Sequence, residues 1–125
     1  MLTVDTSVYT FSKDNPPFAT AQPGQLLCFH TLDCFGGQVT SDTQTVDELD
    51  LSKANPAAGP VFISGAMPGD VLAVDTLDIQ NAEMGFSCSI AGTGPPADIA
   101  ESRTPTIPVK AGTAPSHDAN RPGQP

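Results

Sequence analysis

A chain of 125 residues is one ordinary domain at most, yet long enough to bury a core without metals or disulfides. Its 14 acids against 5 bases leave a formal charge of −9, which repels phosphate backbones and excludes nucleic acid as an expected partner. No apolar run approaches the length that spans a bilayer, so a membrane partner is not expected either.

The 13 prolines and 11 glycines argue against long helices, since each proline removes a donor and crowds the preceding turn. Cys28, Cys34 and Cys88 form no CxxC pair, and an odd count makes a poor disulfide framework. That points to a reducing compartment, the cytoplasm. The opening stretch MLTVDTSVYTFSKDN has neither the basic start nor the apolar centre of a signal peptide.

In chain order, SVYTF (7–11) reads as a first strand. Pro23-Gly24 then forms a type II turn, because Pro presets φ and Gly accepts φ > 0. The chain should leave that turn as a strand over Leu26–Asp33. GQVTSDTQTV (37–46), rich in Val and Thr, predicts another strand. VDELDLSKA (46–54) predicts one or two helical turns that Asn55-Pro56 ends. GPVFISG (59–65) is a short β run. A second Pro-Gly turn, Pro68-Gly69, opens VLAVDTLDI (71–79), where Val71, Ala73, Asp75, Leu77 and Ile79 share one face. Leu72, Val74, Thr76 and Asp78 share the other, so this strand should be largely buried near its start.

Short strands between turn signals predict an all-β fold, a sandwich or barrel, over residues 1–92. Residues 93–125 are a proline- and glycine-rich extension with no aromatic residue and few large apolar ones. Such a segment buries too little to offset its ordering entropy, and reads as extended or partly disordered.

TLDCFGGQ (31–38) gathers an acid, a thiol and two glycines. His30 and Cys34 fall on one strand face, too far apart along a strand for a direct hydrogen bond. Asp33 closes an apolar strand just before a flexible turn. An acid there either binds a cation or orients a water, or it caps the turn by accepting from backbone donors. Asp47, Glu48 and Asp50 read as a solvated run, and Asp75 and Asp78 face opposite ways. His117-Asp118 is a candidate ligand pair in the extension. GxGxxG, P-loop, HExxH and GxSxG patterns are all lacking.

The ordered set YTFSKDNPP, QPGQLLCFHTLDCFGGQVTSD, NPAAGPVFISGAMPGDVLAVDTLDI and GFSCSIAG resembles the acetamidase/formamidase family of metal-dependent amidases. The likeness covers roughly residues 7 to 92 and frays beyond that, where IPVK passes straight to AGTAPSHD, as in an amino-terminal fragment or a shortened relative. The resemblance implies hydrolysis of a small amide substrate, formamide or acetamide, to a carboxylate and ammonia. It also implies an all-β sandwich of jelly-roll type and a divalent metal ion, zinc before calcium. Asp33 is then the metal ligand or water-orienting acid, Cys34 lines the same pocket, and Asp42 stands where relatives often carry Glu. Edge strands that lack partners predict self-association into a homo-oligomer. The other reading is a non-catalytic, truncated β-sandwich module acting in binding or assembly.

Overall fold

The structure is a computed structural model, and it describes residues 1–90, 104–110 and 112–114. The protein is all-β, with eight short strands and two single turns of 3₁₀ helix among the described residues. In chain order the strands are β1 (Leu2–Val4), β2 (Ser7–Val8), β3 (Ala19–Ala21), β4 (Leu27–Phe29), β5 (Ala57–Ala58), β6 (Val61–Ile63), β7 (Met84–Phe86) and β8 (Thr106–Pro108). The chain divides into two compact units, one of Met1–Gln38 with Asp50–Val74, the other of Val39–Leu49 with Asp75–Pro125.

The first unit holds three two-stranded ladders. β1 pairs with β4 in parallel, Val4 opposite Phe29, and the ladder runs one step further where the His30 N–H donates to the Val4 carbonyl at 2.9 Å. β2 pairs with β5 antiparallel, and β3 with β6 in parallel. Parallel neighbours need a long crossover, and here the intervening chain supplies it. Val4 and Ala21 lie at the ends of β1 and β3 and are fully enclosed; Phe35 is the third buried apolar residue of this unit.

Both Pro-Gly turns form, and both close in the same way. Gly24 and Gly69 take positive φ, 77° and 99°. The Gln25 N–H donates to the Gln22 carbonyl and the Asp70 N–H to the Met67 carbonyl, each at 3.0 Å. The fourth side chain then folds back in each turn: Gln25 Oε1 accepts from the Gln22 N–H at 2.9 Å, and Asp70 Oδ2 from the Met67 N–H at 2.8 Å.

In the second unit β7 pairs with β8 antiparallel, so part of the proline-rich region is an ordered strand. Val46, Leu49 and Thr104 are buried there. Thr104 Oγ1 donates to the Gln44 carbonyl at 2.5 Å, which ties two segments 60 residues apart. Most of the remaining region after residue 92, with His117 and Asp118, lies outside the described residues.

Two expected strands are not formed. Residues 37–46 make a series of tight turns, because side chains satisfy the backbone locally. Gln44 Oε1 alone accepts from the Thr40 N–H at 2.6 Å and the Ser41 N–H at 3.0 Å, which pre-empts a ladder. Residues 71–79 form no ladder and are all exposed, where burial was expected. The first strand is also shorter than SVYTF: only Ser7 and Val8 pair. The helical turns after Thr45 do form, as 3₁₀ turns at Val46–Glu48 and Leu51–Lys53, and they stop before Asn55 as expected. Among the described residues no helix is long and apolar enough to cross a membrane.

Candidate functional site: the turn from Asp33 to Gln38

Asp33 leaves the β4 run and enters a double turn. The Gly36 N–H donates to the Asp33 carbonyl at 2.9 Å, and the Gln38 N–H to the Phe35 carbonyl at 3.3 Å. Gly36 and Gly37 both take positive φ, 66° and 77°, a conformation that costs a residue with a Cβ. The two glycines let the backbone amides curl around one acceptor. That acceptor is the Asp33 carboxylate. Oδ1 accepts from the Phe35 N–H at 2.8 Å and the Gly37 N–H at 3.1 Å; Oδ2 accepts from the Gly37 N–H at 3.1 Å.

Asp33 is therefore a turn-closing acid, one of the two roles its position allowed. An ionised carboxylate has about four acceptor positions. The residue is exposed, and Oδ2 meets a single amide shared with Oδ1, so it retains capacity toward solvent. The carboxylate is held in one orientation with one oxygen still able to receive a water.

The turn is anchored at both ends to the segment 50–55. The Asn55 N–H donates to the Cys34 carbonyl at 2.7 Å, and Asn55 itself takes φ 54° to do so. At the other end the Gln38 side chain grips Asp50. Its Oε1 accepts from the Asp50 N–H at 2.8 Å and its Nε2 donates to the Asp50 carbonyl at 3.2 Å. The same Nε2 donates to the Phe35 carbonyl at 2.8 Å. Buried Phe35 sits between these anchors in sequence and fixes the turn to the interior.

Asp50 also caps the 3₁₀ turn it precedes. Oδ1 accepts from the Ser52 hydroxyl at 2.6 Å and the Ser52 N–H at 3.1 Å, and the Lys53 ammonium lies 3.6 Å from Oδ2. The Ser52 hydroxyl first, then its N–H, and then Lys53, hold the Asp50 carboxyl below its ordinary value. Glu48 is likewise a cap, accepting from the Thr45 N–H at 2.9 Å. The acidic run 47–50 is thus partly structural, which its charge pattern alone did not distinguish from a solvated face.

Of the residues expected to carry chemistry, Asp33 and Cys34 sit together at the head of this turn, both exposed. Asp42 belongs to the second unit, exposed in the turn that the Gln44 N–H closes on the Ser41 carbonyl at 3.3 Å. His30 is exposed beyond the end of β4. None of the three cysteines is in a disulfide. Sequence reading missed Gln38 and Asn55. A glutamine directly after Gly-Gly is the visible trace of the first; the Asn before Pro56, a residue type that tolerates positive φ, is that of the second.

A metal centre needs several donors, typically three or four for zinc and six or more oxygens for calcium. Among the described residues no group of three or more His, Cys, Asp or Glu side chains converges to hold an ion. Asp33 offers one carboxylate already engaged with two amides, so these residues do not make a zinc or calcium centre by themselves. The first unit also carries an open hollow of about 420 Å³ lined by Val8, Phe11, Lys13, Asn15, Ala58 and Pro60 among others. Asn15 is fixed at its rim, its Nδ2 donating to the Thr10 carbonyl at 2.7 Å.

The turn and its anchors lie within a stretch, residues 6–116, that matches the model of the acetamidase/formamidase family. A formamidase of Methylophilus methylotrophus is 32% identical over 79 residues, covering 59% of this chain and 19% of its own length. An acetamidase of Mycolicibacterium smegmatis is 35% identical over 68 residues, 53% of this chain and 17% of its own. The crystal structure of an acetamidase from Bacillus halodurans superposes with a TM-score of 0.85 at 28% identity, over 90% of this chain and 39% of that one. A protein of Thermoanaerobacter tengcongensis described as a predicted acetamidase/formamidase gives 0.81 at 33% identity, over 90% and 38%. The chain therefore spans about a fifth of the matched sequence relatives and about two fifths of the matched structures. The chain belongs to the acetamidase/formamidase family.

Proposed function

We propose that this chain contributes the Asp33 corner of an amidase that hydrolyses short-chain amides, formamide or acetamide, to a carboxylate and ammonia. The observation that supports this is the family match over 6–116, which contains the whole turn and both of its anchors.

Hydrolysis needs a water oxygen at the carbonyl carbon and a proton at the departing nitrogen, because amide ion is too poor a leaving group. In this reading Asp33 Oδ2 accepts a hydrogen bond from that water, while the Phe35 and Gly37 amides hold the carboxylate still. As the water oxygen bonds to carbon, its proton passes to the carboxylate and then to nitrogen, and the C–N bond breaks. Cys34, next to Asp33 and exposed, lines the same approach. We place the completed enzyme, a β-sandwich of jelly-roll type, in the cytoplasm, where the three thiols stay reduced.

The test is ammonia release from formamide and acetamide by this chain assembled with the part of an acetamidase fold that it does not span. Release that depends on Asp33 supports the reading; an assembled, folded protein that releases none sinks it.

A second reading applies to the chain taken alone, as a non-catalytic β module. It is favoured by the engagement of Asp33 with its own backbone. The isolated chain is then expected to release no ammonia and to retain only substoichiometric divalent metal on elemental analysis.

A further inference from the structure

Among the described residues Asn55 alone, glycines aside, takes positive φ, 54°. It stands directly before Pro56, whose ring pushes the preceding residue toward extended backbone at negative φ. Its conformation is therefore disfavoured twice, by its own Cβ and by the proline that follows. Backbone of this kind persists only where the surroundings impose it, and it concentrates at functional sites.

The bond that this conformation makes lies one peptide away from the Asp33 carboxylate. The Asn55 N–H donates to the Cys34 carbonyl at 2.7 Å. The Cys34 carbonyl and the Phe35 N–H belong to one planar trans peptide unit and point to opposite sides of it. The Phe35 N–H donates to Asp33 Oδ1 at 2.8 Å. One rigid plane thus carries Asn55 on one side and Asp33 on the other. Rotating that plane swings the N–H away from Oδ1. Hydrogen bonding at the carbonyl also polarises the unit and strengthens the donation from its N–H.

We propose that Asn55 is a positioning residue for Asp33: its left-handed backbone pins the Cys34–Phe35 peptide, and that peptide sets the direction of the Asp33 carboxylate. Asn55 acts through its main chain, and the side chain matters only by tolerating positive φ. Glycine can therefore replace it, whereas a β-branched residue cannot. The consequence for turnover rests on the hydrolytic reading of Asp33; the consequence for the Phe35 amide rests on the two bonds alone.

The experiment compares Asn55→Val and Asn55→Gly. In the full 125-residue chain, amide exchange at Phe35 is followed by NMR, with protection of the β1–β4 ladder reporting that each variant folds. Asn55→Val should speed Phe35 exchange at least about tenfold, and Asn55→Gly should restore it. In the assembled protein of the ammonia assay, Asn55→Val should lower kcat about 10- to 100-fold with KM within about twofold, and Asn55→Gly should restore kcat. Combined with Asp33→Asn, Asn55→Val should remove less than about threefold more, because both act on one carboxylate.

Four outcomes overturn the proposal. Phe35 exchange is unchanged by Asn55→Val. Asn55→Gly loses as much kcat as Asn55→Val, which would give the role to the Asn55 side chain. Asn55→Val lowers kcat by the same factor with and without Asp33→Asn. Asn55→Val keeps wild-type kcat while Asp33→Asn loses it. Asp33→Asn retaining wild-type kcat would instead remove the hydrolytic reading, and Phe35 exchange then decides the positioning claim by itself.

Discussion

The side-chain amide of Gln38 closes a reciprocal pair of hydrogen bonds with the main chain of Asp50, accepting from its N–H at 2.8 Å and donating to its carbonyl at 3.2 Å. A side chain here does the work of a neighbouring strand, bridging 12 positions in sequence. With the bond from the Asn55 N–H to the Cys34 carbonyl, it makes the loop that carries Asp33 a fixed object.

The grip predicts the effect of removing it. Gln38→Ala leaves the Asp50 amide and the Phe35 carbonyl without their side-chain partner, and should cost about 0.5–1.5 kcal/mol in urea unfolding, since water can reach the exposed Asp50 amide. Gln38→Glu keeps the acceptor for the Asp50 N–H and loses both donations, so it should fall between Ala and wild type. The local reporter is exchange at the Asp50 amide, which should speed up in the Ala variant well before global unfolding. Unchanged exchange would mean that the contact is incidental.

Gly37 offers a second test, because a Cβ added there meets nothing within 4 Å. Any cost of Gly37→Ala is then conformational, from its φ of 77°, and should be about 1–2 kcal/mol. Gly37→Asn should cost less, since Asn tolerates the left-handed region. Thermal melts of the two variants side by side decide this, and equal losses would point to a steric cause instead.

Asp50 makes one pH-dependent contribution to the loop. Its carboxyl is held below 3.8, chiefly by the Ser52 hydroxyl and then the Ser52 N–H. A depressed folded value means that the unfolded chain binds this proton more readily. The contribution is therefore present above about pH 4 and lost as pH falls through the lowered folded value. An NMR titration of the Asp50 carboxyl should show a midpoint below 3.8, and Ser52→Ala should bring it back toward 3.8. No movement in the Ser52 variant would reassign the cause to the backbone N–H at position 52, which Ala keeps, and to Lys53.

These loops also show what a sequence discloses. The Pro-Gly turns, the stop at Asn55-Pro56 and the capping potential of Asp33 before Gly-Gly are local, so they can be read from neighbouring residues. Residues 37–46 could not be read that way. Val39, Thr40, Thr43 and Thr45 favour strand, but Gln44 intercepts the backbone donors, and no propensity scale carries that competition. VLAVDTLDI has strand chemistry without a strand partner, because pairing depends on a second segment and β-propensity reflects fit to neighbours. At the site, the motif pointed to Asp33 and Cys34. The anchors that hold them, Gln38 on Asp50 and Asn55 on Cys34, join residues 12 to 21 positions apart and are visible only in the fold.

Under the proposed function, Asp33, held by the Phe35 and Gly37 amides, is the acid this chain would bring to amide hydrolysis. The most direct measurement is steady-state ammonia release from formamide and acetamide by the assembled protein, wild type against Asp33→Asn. Asn keeps a carbonyl acceptor for the turn amides, so folding should be nearly unchanged by thermal melt while kcat falls about 100- to 10,000-fold. Asp33→Asn retaining wild-type kcat in a folded assembly would contradict the account and leave Asp33 as a turn-closing residue alone.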